Sequence, residues 1–163
     1  MEPVIALDSP ASADVQLVLQ HHWEFLNAPK TTADGVASPP KSSHHYLDTE
    51  ALLAPEVLFF SGRVDGLVVA VGAIVEIDPG HGEIKSMHVV AERRGQGLGR
   101  RMVEHLLQVA RERGFARVSL ETGSMPEFAP AHALYASVGF VDCGPFSEYK
   151  PSVHSRFMTQ VLG

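Results

Sequence analysis

Ile84-Lys85-Ser86-Met87-His88-Val89-Val90-Ala91-Glu92-Arg93-Arg94-Gly95-Gln96-Gly97-Leu98-Gly99-Arg100-Arg101 runs from a strand-like stretch through a glycine-rich turn into the start of a helix. That arrangement favours anions. The first backbone N–H groups of a helix have no internal partner and point outward, and the macrodipole places partial positive charge at the same end. Glycines let the main chain approach a phosphate without a Cβ in the way. Arg93, Arg94, Arg100 and Arg101 flank the turn in a chain whose net charge is −6. Together these features predict a pyrophosphate site.

Outward from this stretch, patterning predicts a mixed sheet in an α/β or α+β domain. Val4 to Leu7 suits a short strand. Ser12 to Leu26 suits a helix, with Val15, Val18, Leu19, Trp23 and Leu26 on one face. His45 to Leu53 suits a short helix and Val57 to Ser61 a strand. Val64-Asp65-Gly66 reads as a hairpin turn. Leu67–Ile77 and Glu83–Val90 follow as strands, then a helix over Gly97–Arg113 that Gly114 ends. A strand over Ala116–Glu121, a helix over Pro130–Val138, and strands over Phe140–Cys143 and Phe157–Val161 complete the order. Residues 29–43 are crowded with turn formers and predict a long loop, either a surface connection or a substrate lid.

Three readings compete for the glycine turn. Its spacing, Gly95-x-Gly97-x-Gly99, is not the G-x-G-x-x-G of dinucleotide folds. Glu121 does stand at the end of the next strand, where an NAD-type oxidoreductase carries an acidic residue. Only one strand-helix-strand unit follows the turn, however. A Walker A loop is excluded, since no Gly-Lys-Ser or Gly-Lys-Thr occurs. A plain tight turn with exposed arginines is the third reading.

Composition sets outer bounds. The 163 residues fit one domain spanning 1–163, and the 45% hydrophobic and 20% charged shares are those of an ordinary globular chain. An acidic balance argues against a nucleic-acid partner. One cysteine, Cys143, precludes an internal disulfide, and its residue type suits a small buried position better than a nucleophile. Met1-Glu2-Pro3-Val4 has no basic n-region, and the apolar run Leu67–Val75 is too short to span a bilayer, so the expectation is a cytoplasmic protein with no membrane partner. No H-E-x-x-H or paired-cysteine spacing exists, so no metal is expected. His21-His22 and His44-His45 read as solvated or half-buried histidines.

The turn Arg94-Gly95-Gln96-Gly97-Leu98-Gly99 resembles the R/Q-x-x-G-x-G/A signature of the GNAT acetyltransferases. Ala131-His132-Ala133-Leu134-Tyr135-Ala136-Ser137-Val138-Gly139-Phe140 resembles the A-x-x-L-Y-x-x-x-G-F block of the same family. The similarity is close to continuous from Gly82 to Leu162, and Gly82-Glu83-Ile84-Lys85-Ser86-Met87, Leu120-Glu121-Thr122-Gly123-Ser124-Met125 and Phe157-Met158-Thr159 are similar to a small bacterial subgroup. The resemblance implies the acyl-CoA N-acyltransferase fold, a mixed sheet of six to seven strands with about four helices. It also implies acetyl-CoA as co-substrate and a primary amine of a small molecule or peptide as acceptor, with a homodimer compatible.

By position, the resemblance implies that main-chain groups of Met87, His88 and Val89 bond the pantetheine arm, and that one N–H polarises the acetyl carbonyl. Arg94, Gly95, Gln96, Gly97, Leu98, Gly99 and Arg100 hold the pyrophosphate, the Arg94 side chain either reaching phosphate or capping the loop. The resemblance also implies a splay between the Glu83–Val90 strand and the Ala116–Glu121 strand, beside a bulge, that admits the cofactor. Tyr135 is the expected acid for the departing thiolate, since thiols ionise near about 8.5 and tyrosine near about 10. Glu83 stands where the histone-acetylating branch carries its basic glutamate, with Glu121 or ordered water in reserve. His44, His45, Glu121 and Tyr149 are candidate acceptor contacts. Two departures stand out: Phe128 replaces an asparagine common seven residues before the tyrosine, and Ser152-Val153-His154-Ser155 replaces an Asp-Pro-x-Ser stretch. A non-catalytic acetyl-CoA sensor on the same fold is the alternative.

Overall fold

The computed structural model describes residues 2–28, 30–31, 37–38 and 49–163. Its elements are β1 (Val4–Leu7), α1 (Ala13–Asn27), β2 (Lys30–Thr31), β3 (Ala37–Ser38), α2 (Thr49–Leu52), β4 (Val57–Val64) and β5 (Leu67–Asp78). They continue with β6 (His81–Val89), α3 (Leu98–Glu112), β7 (Arg117–Gly123), α4 (Ala129–Ser137), β8 (Val141–Cys143) and β9 (Ser155–Val161). Short 3-10 turns at Ala91–Arg93 and Pro126–Phe128 lead into α3 and α4. Seven strands form one sheet in the order β1-β4-β5-β6-β7-β9-β8, and β2 pairs with β3 apart from it. The small β2–β3 ladder lies within the stretch expected to be loop, and the rest of that stretch falls outside the described residues.

Alternation along the strands decides which helix covers which face. Ala70 and Ile74 of β5 point into a core with Ile84, Val118, Leu120 and the apolar stripe of α3, Met102, Val103, Leu106 and Ala110. Val71 and Ala73 point the other way, against Val15, Val18 and Leu19 of α1 and Leu52 of α2. β5 is therefore buried on both faces from Val69 to Ile74. Gly72 lets α3 come close: a Cβ there would lie 2.9 Å from both Met102 Cγ and Met87 Sδ. The β4–β5 hairpin closes through Asp65 and Gly66, both at positive φ (51° and 81°), the pairing a tight two-residue turn requires.

Among the described residues, only β6 and β7 run parallel; the other ladders of the sheet are antiparallel. A doubly wound parallel sheet, which a dinucleotide-binding fold needs, is not what these strands build. The β6–β7 pairing is also short. His81↔Arg117, Gly82↔Val118 and Glu83↔Ser119 are matched, and beyond them the strands part although β6 runs on to Val89 and β7 to Gly123. Among the described residues, no helix is long and apolar enough to cross a membrane.

Candidate active site

The parted strands leave a cleft of about 480 Å³. β6 forms one wall and β7 the other. The start of α3 closes one end, and α4 with the C-terminal part of α1 supplies apolar side walls through Leu134, Phe25 and Leu26.

At the glycine-rich end, Gly95 (φ 79°) and Gly97 (φ 81°) take left-handed conformations, and Gly97 caps α3. The first ladder bond of the helix runs from Arg101 N–H to Gly97 C=O at 3.1 Å. The N–H groups of Leu98, Gly99 and Arg100 thus belong to the unpaired first turn, and these residues line the cleft. Helix start, positive dipole end and flanking arginines make a cradle for a phosphate group. Gln96 is on the exposed side of the turn.

Two of the flanking arginines also make contacts within the protein. Arg94 Nε donates to Val89 C=O at 3.1 Å, and its guanidinium lies 5.6 Å from the Phe25 ring centre. Of the two roles open to Arg94, this is the loop-capping geometry. Arg100 donates from Nη1 to Ser137 Oγ at 3.1 Å and approaches Glu104 at 3.4 Å, tying α3 to α4.

Further in, β6 carries a bulge. Val71 pairs with His88 and Ala73 with Lys85, so Ser86 and Met87 together oppose Gly72. Ser86 sits there at φ 57°, a left-handed conformation that costs a residue with a Cβ on the order of 1–3 kcal/mol. The bulge lies where β6 turns away from β7, beside the splay, the place the resemblance implies for it.

The bulge also sorts the β6 side chains. Ile84 and Met87 face α3, while Glu83, Lys85 and His88 face α1. His88 is buried and its Nδ1 lies 3.1 Å from Nδ1 of His22 on α1, the rings meeting edge to face. Burial, with Arg94 and His21 nearby, lowers the His88 pKa to about 4, so it is neutral at physiological pH. A contact between two Nδ1 atoms needs one donor and one acceptor, so one ring carries its proton on Nδ1 and the other does not.

Glu83 is 3% exposed. Tyr149, from the segment between β8 and β9, donates its hydroxyl to Glu83 Oε2 at 2.6 Å, and Lys85 Nζ lies 3.7 Å from Oε1. Burial, then the Glu83 charge, raises the Tyr149 pKa well above the usual tyrosine range. Glu121 lies on the same sheet face, two residues beyond Ser119, the β7 partner of Glu83. Its Oε2 accepts from Ser155 Oγ at 2.7 Å. Tyr135 of α4 is 7% exposed and packs edge-on to Phe140 at 5.8 Å. It lines the cleft, and burial pushes its pKa above the ordinary value, so the phenol keeps its proton.

The structure thus brings Glu83, Glu121, Tyr135, Tyr149, Met87, His88, Val89, Arg94, Gly95, Gly97, Leu98, Gly99 and Arg100 around one cleft, and leaves Gln96 outside its lining. His44 and His45 lie outside the described residues. Lys85, His22, Phe25 and Ser86 join the lining without having been singled out from sequence. Lys85 was findable, since it alternates with Glu83 on one strand face. Phe128 packs its ring over Gly123, where a Cβ would come within 2.2 Å of it, so the position that carries asparagine elsewhere is filled by an apolar wall. Cys143 is half-buried and burial raises its thiol pKa, which suits neither a nucleophile nor a ligand. Among the described residues, no group of three or more His, Cys, Asp or Glu side chains is placed to hold a metal ion.

A cleft between two diverging parallel strands, a phosphate cradle at one end and a buried carboxylate at the other, fits a long ligand with a phosphorylated tail and a reacting head. The Acetyltransferase (GNAT) family model matches residues 18–140. The chain is 43% identical over 125 residues to the Uncharacterized N-acetyltransferase YsnE of Bacillus subtilis (strain 168), covering 77% of this chain and 82% of that one. It is 41% identical over 125 residues to the Uncharacterized N-acetyltransferase YedL of Escherichia coli (strain K12), covering 77% and 78%. An acetyltransferase of the GNAT family from Staphylococcus aureus Mu50 superposes with a TM-score of 0.73 at 16% identity, over 99% of each chain, a likeness of fold.

Proposed function

The chain belongs to the GNAT family of acetyltransferases, and on that premise we propose that it moves the acetyl group of acetyl-CoA onto a primary amine of a small molecule or peptide, by direct attack with both held in the cleft. The observation that carries this reading is the parting of β6 and β7 beyond Glu83↔Ser119, with a helix start and glycine turn at one end of the gap.

Acetyl-CoA, when bound, supplies the thioester carbon that the amine attacks. The unpaired N–H groups at the start of α3 hold its diphosphate, and main-chain groups of Met87, His88 and Val89 hold its arm as an added strand. Arg94 serves that arrangement indirectly, fixing the end of β6 through Val89 C=O. Tyr135 gives its phenolic proton to the sulfur as the C–S bond breaks. Burial keeps the phenol protonated, so the proton is in place when the thiolate leaves, while the same burial makes it a weaker acid. Glu83 takes the proton of the amine, directly or through water, as the C–N bond forms. Tyr149 and Lys85 orient its carboxylate from two sides. Glu121 and Tyr149 border the acceptor end. Holding both reactants in one cleft supplies much of the rate.

The test is free-thiol release from acetyl-CoA with a panel of primary amines, using Tyr135→Phe as control. Turnover with at least one amine, lost in the variant, supports the reading. Tight acetyl-CoA binding with no turnover on any amine would favour a non-catalytic sensor.

A further inference from the structure

Lys85 brings a positive charge to the end of the cleft away from the phosphate cradle. It lines the cleft with Glu83, Glu121 and Tyr149. Its side chain is 25% exposed, against 4% for Glu83, and its Nζ lies 3.7 Å from Glu83 Oε1. That is an ion pair beyond hydrogen-bond reach. An ammonium has three donors, and among the described residues none of the three makes a hydrogen bond. Nζ keeps accessible surface, so a ligand oxygen can reach it where it stands.

The opposite strand carries a negative charge at the matching position. Glu83↔Ser119 is the last β6–β7 pair, and Lys85 stands two residues beyond Glu83 as Glu121 stands two beyond Ser119. The strands have parted there, and among the described residues no ion pair joins Lys85 to Glu121. In the acetyl-transfer reading, on which this inference rests, the acceptor amine lies at Glu83. A simple amine arriving as an ammonium meets the carboxylates but is repelled by Lys85. An acceptor with a carboxylate beside its amine meets both signs of charge. The 3.7 Å between Nζ and Oε1 requires those two groups to be close together. In an α-amino acid two bonds of about 1.5 Å each separate the nitrogen from the carboxylate carbon, so its amine reaches Glu83 while its carboxylate meets Lys85.

We propose that the acceptor is a free α-amino acid, with its amine at Glu83 and its carboxylate bound by the ammonium of Lys85. The product is then an N-acetyl amino acid. As the C–N bond forms and the C–S bond breaks, the nitrogen loses two protons. One goes to solvent through Glu83, and the other is balanced by the proton that Tyr135 gives to the sulfur of CoA. Lys85 holds a group that does not change during the reaction, so it sets KM and the choice of acceptor more than kcat.

The test uses the full chain with acetyl-CoA and follows thiol release with a panel of free α-amino acids, each beside its α-amide and its decarboxylated amine. The proposal expects at least one amino acid to be acetylated with kcat/KM about tenfold to a hundredfold above both of its analogues. In Lys85→Met the KM for that amino acid rises and its advantage over the amide disappears, whereas Lys85→Arg keeps a preference for the carboxylate. An amide or decarboxylated amine used as well as its amino acid would overturn the inference and leave the acetyl-transfer reading standing. An equal loss on amino acid and amide in Lys85→Met would overturn it too, since that is what a lysine that only orients Glu83 produces. Turnover of no amine at all would overturn the acetyl-transfer reading and this inference together.

Discussion

The hydroxyl of Tyr149 donates a 2.6 Å hydrogen bond to Oε2 of Glu83, joining the segment between β8 and β9 to the middle of the sheet. Glu83 is almost wholly buried, so its carboxylate depends on such donors for the solvation it has given up. If Tyr149 acts through Glu83, the two effects on rate overlap. Glu83→Gln is expected to lower kcat/KM by about a hundredfold, Tyr149→Phe by less, and the double variant no further than Glu83→Gln alone. A double-mutant cycle on kcat/KM checks this, and additive losses would show that the two residues act separately.

Tyr135→Phe keeps the ring that packs on Phe140 and removes only the hydroxyl. The melting temperature and the CoA Kd should hold, while kcat falls on the order of 100- to 10,000-fold. Since burial raises the Tyr135 pKa above its ordinary value, loss of its proton should not appear in the pH–rate profile below pH ~10. A rate unchanged in Tyr135→Phe would remove Tyr135 from the chemistry.

His88 makes stability depend on pH. Its pKa is lowered to about 4 in the fold, from 6.5, with His22, His21 and Arg94 as the facing groups. Between those values the unfolded chain binds the proton that the folded chain refuses. The contribution is present in full above pH 6.5 and is lost as pH falls toward 4, about 3 kcal/mol in all at 1.36 kcal/mol per unit. Denaturant midpoints from pH 7 to pH 4 should therefore fall, and His88→Gln should flatten the slope. An equally steep slope in the variant would contradict the assignment.

Gly123 closes the cleft by leaving room for Phe128, whose ring would be 2.2 to 2.6 Å from an added Cβ. Gly123→Ala must move that ring off the cleft wall and is expected to cost about 1–3 kcal/mol. Calorimetric unfolding should register a drop of about 2–4 °C for each kcal/mol. An unchanged melting point would mean that the ring relocates freely.

The strand-turn-helix at Ile84–Arg101 was legible because its physics is local: glycines, a helix start and arginines all within a few residues. The α3 helix and the β4 and β5 strands were legible for the same reason, and their observed ends shift by only a few residues, as with β6 starting at His81 instead of Glu83. The pairing of Tyr149 with Glu83 was not legible, since no local pattern brings distant chain segments together; both residues were candidates, but for separate roles. The His22–His88 contact was hidden likewise, as each residue alone reads as an ordinary half-buried histidine. The bulge left a faint trace. Apolar residues fall at Ile84, Met87 and Val89, a spacing of three and then two, where an unbroken strand would keep two throughout.

The central claim is that the gap between β6 and β7 is a site for acetyl-CoA. Thermal unfolding of the protein with and without acetyl-CoA, with NAD as comparison, tests it most directly. Binding to the folded state alone at 100 times Kd adds about 2.7 kcal/mol, which raises the melting point by about 5–10 °C for a chain of this size. The account predicts that rise with acetyl-CoA and none with NAD. No shift at millimolar acetyl-CoA, or a shift with NAD instead, would contradict it.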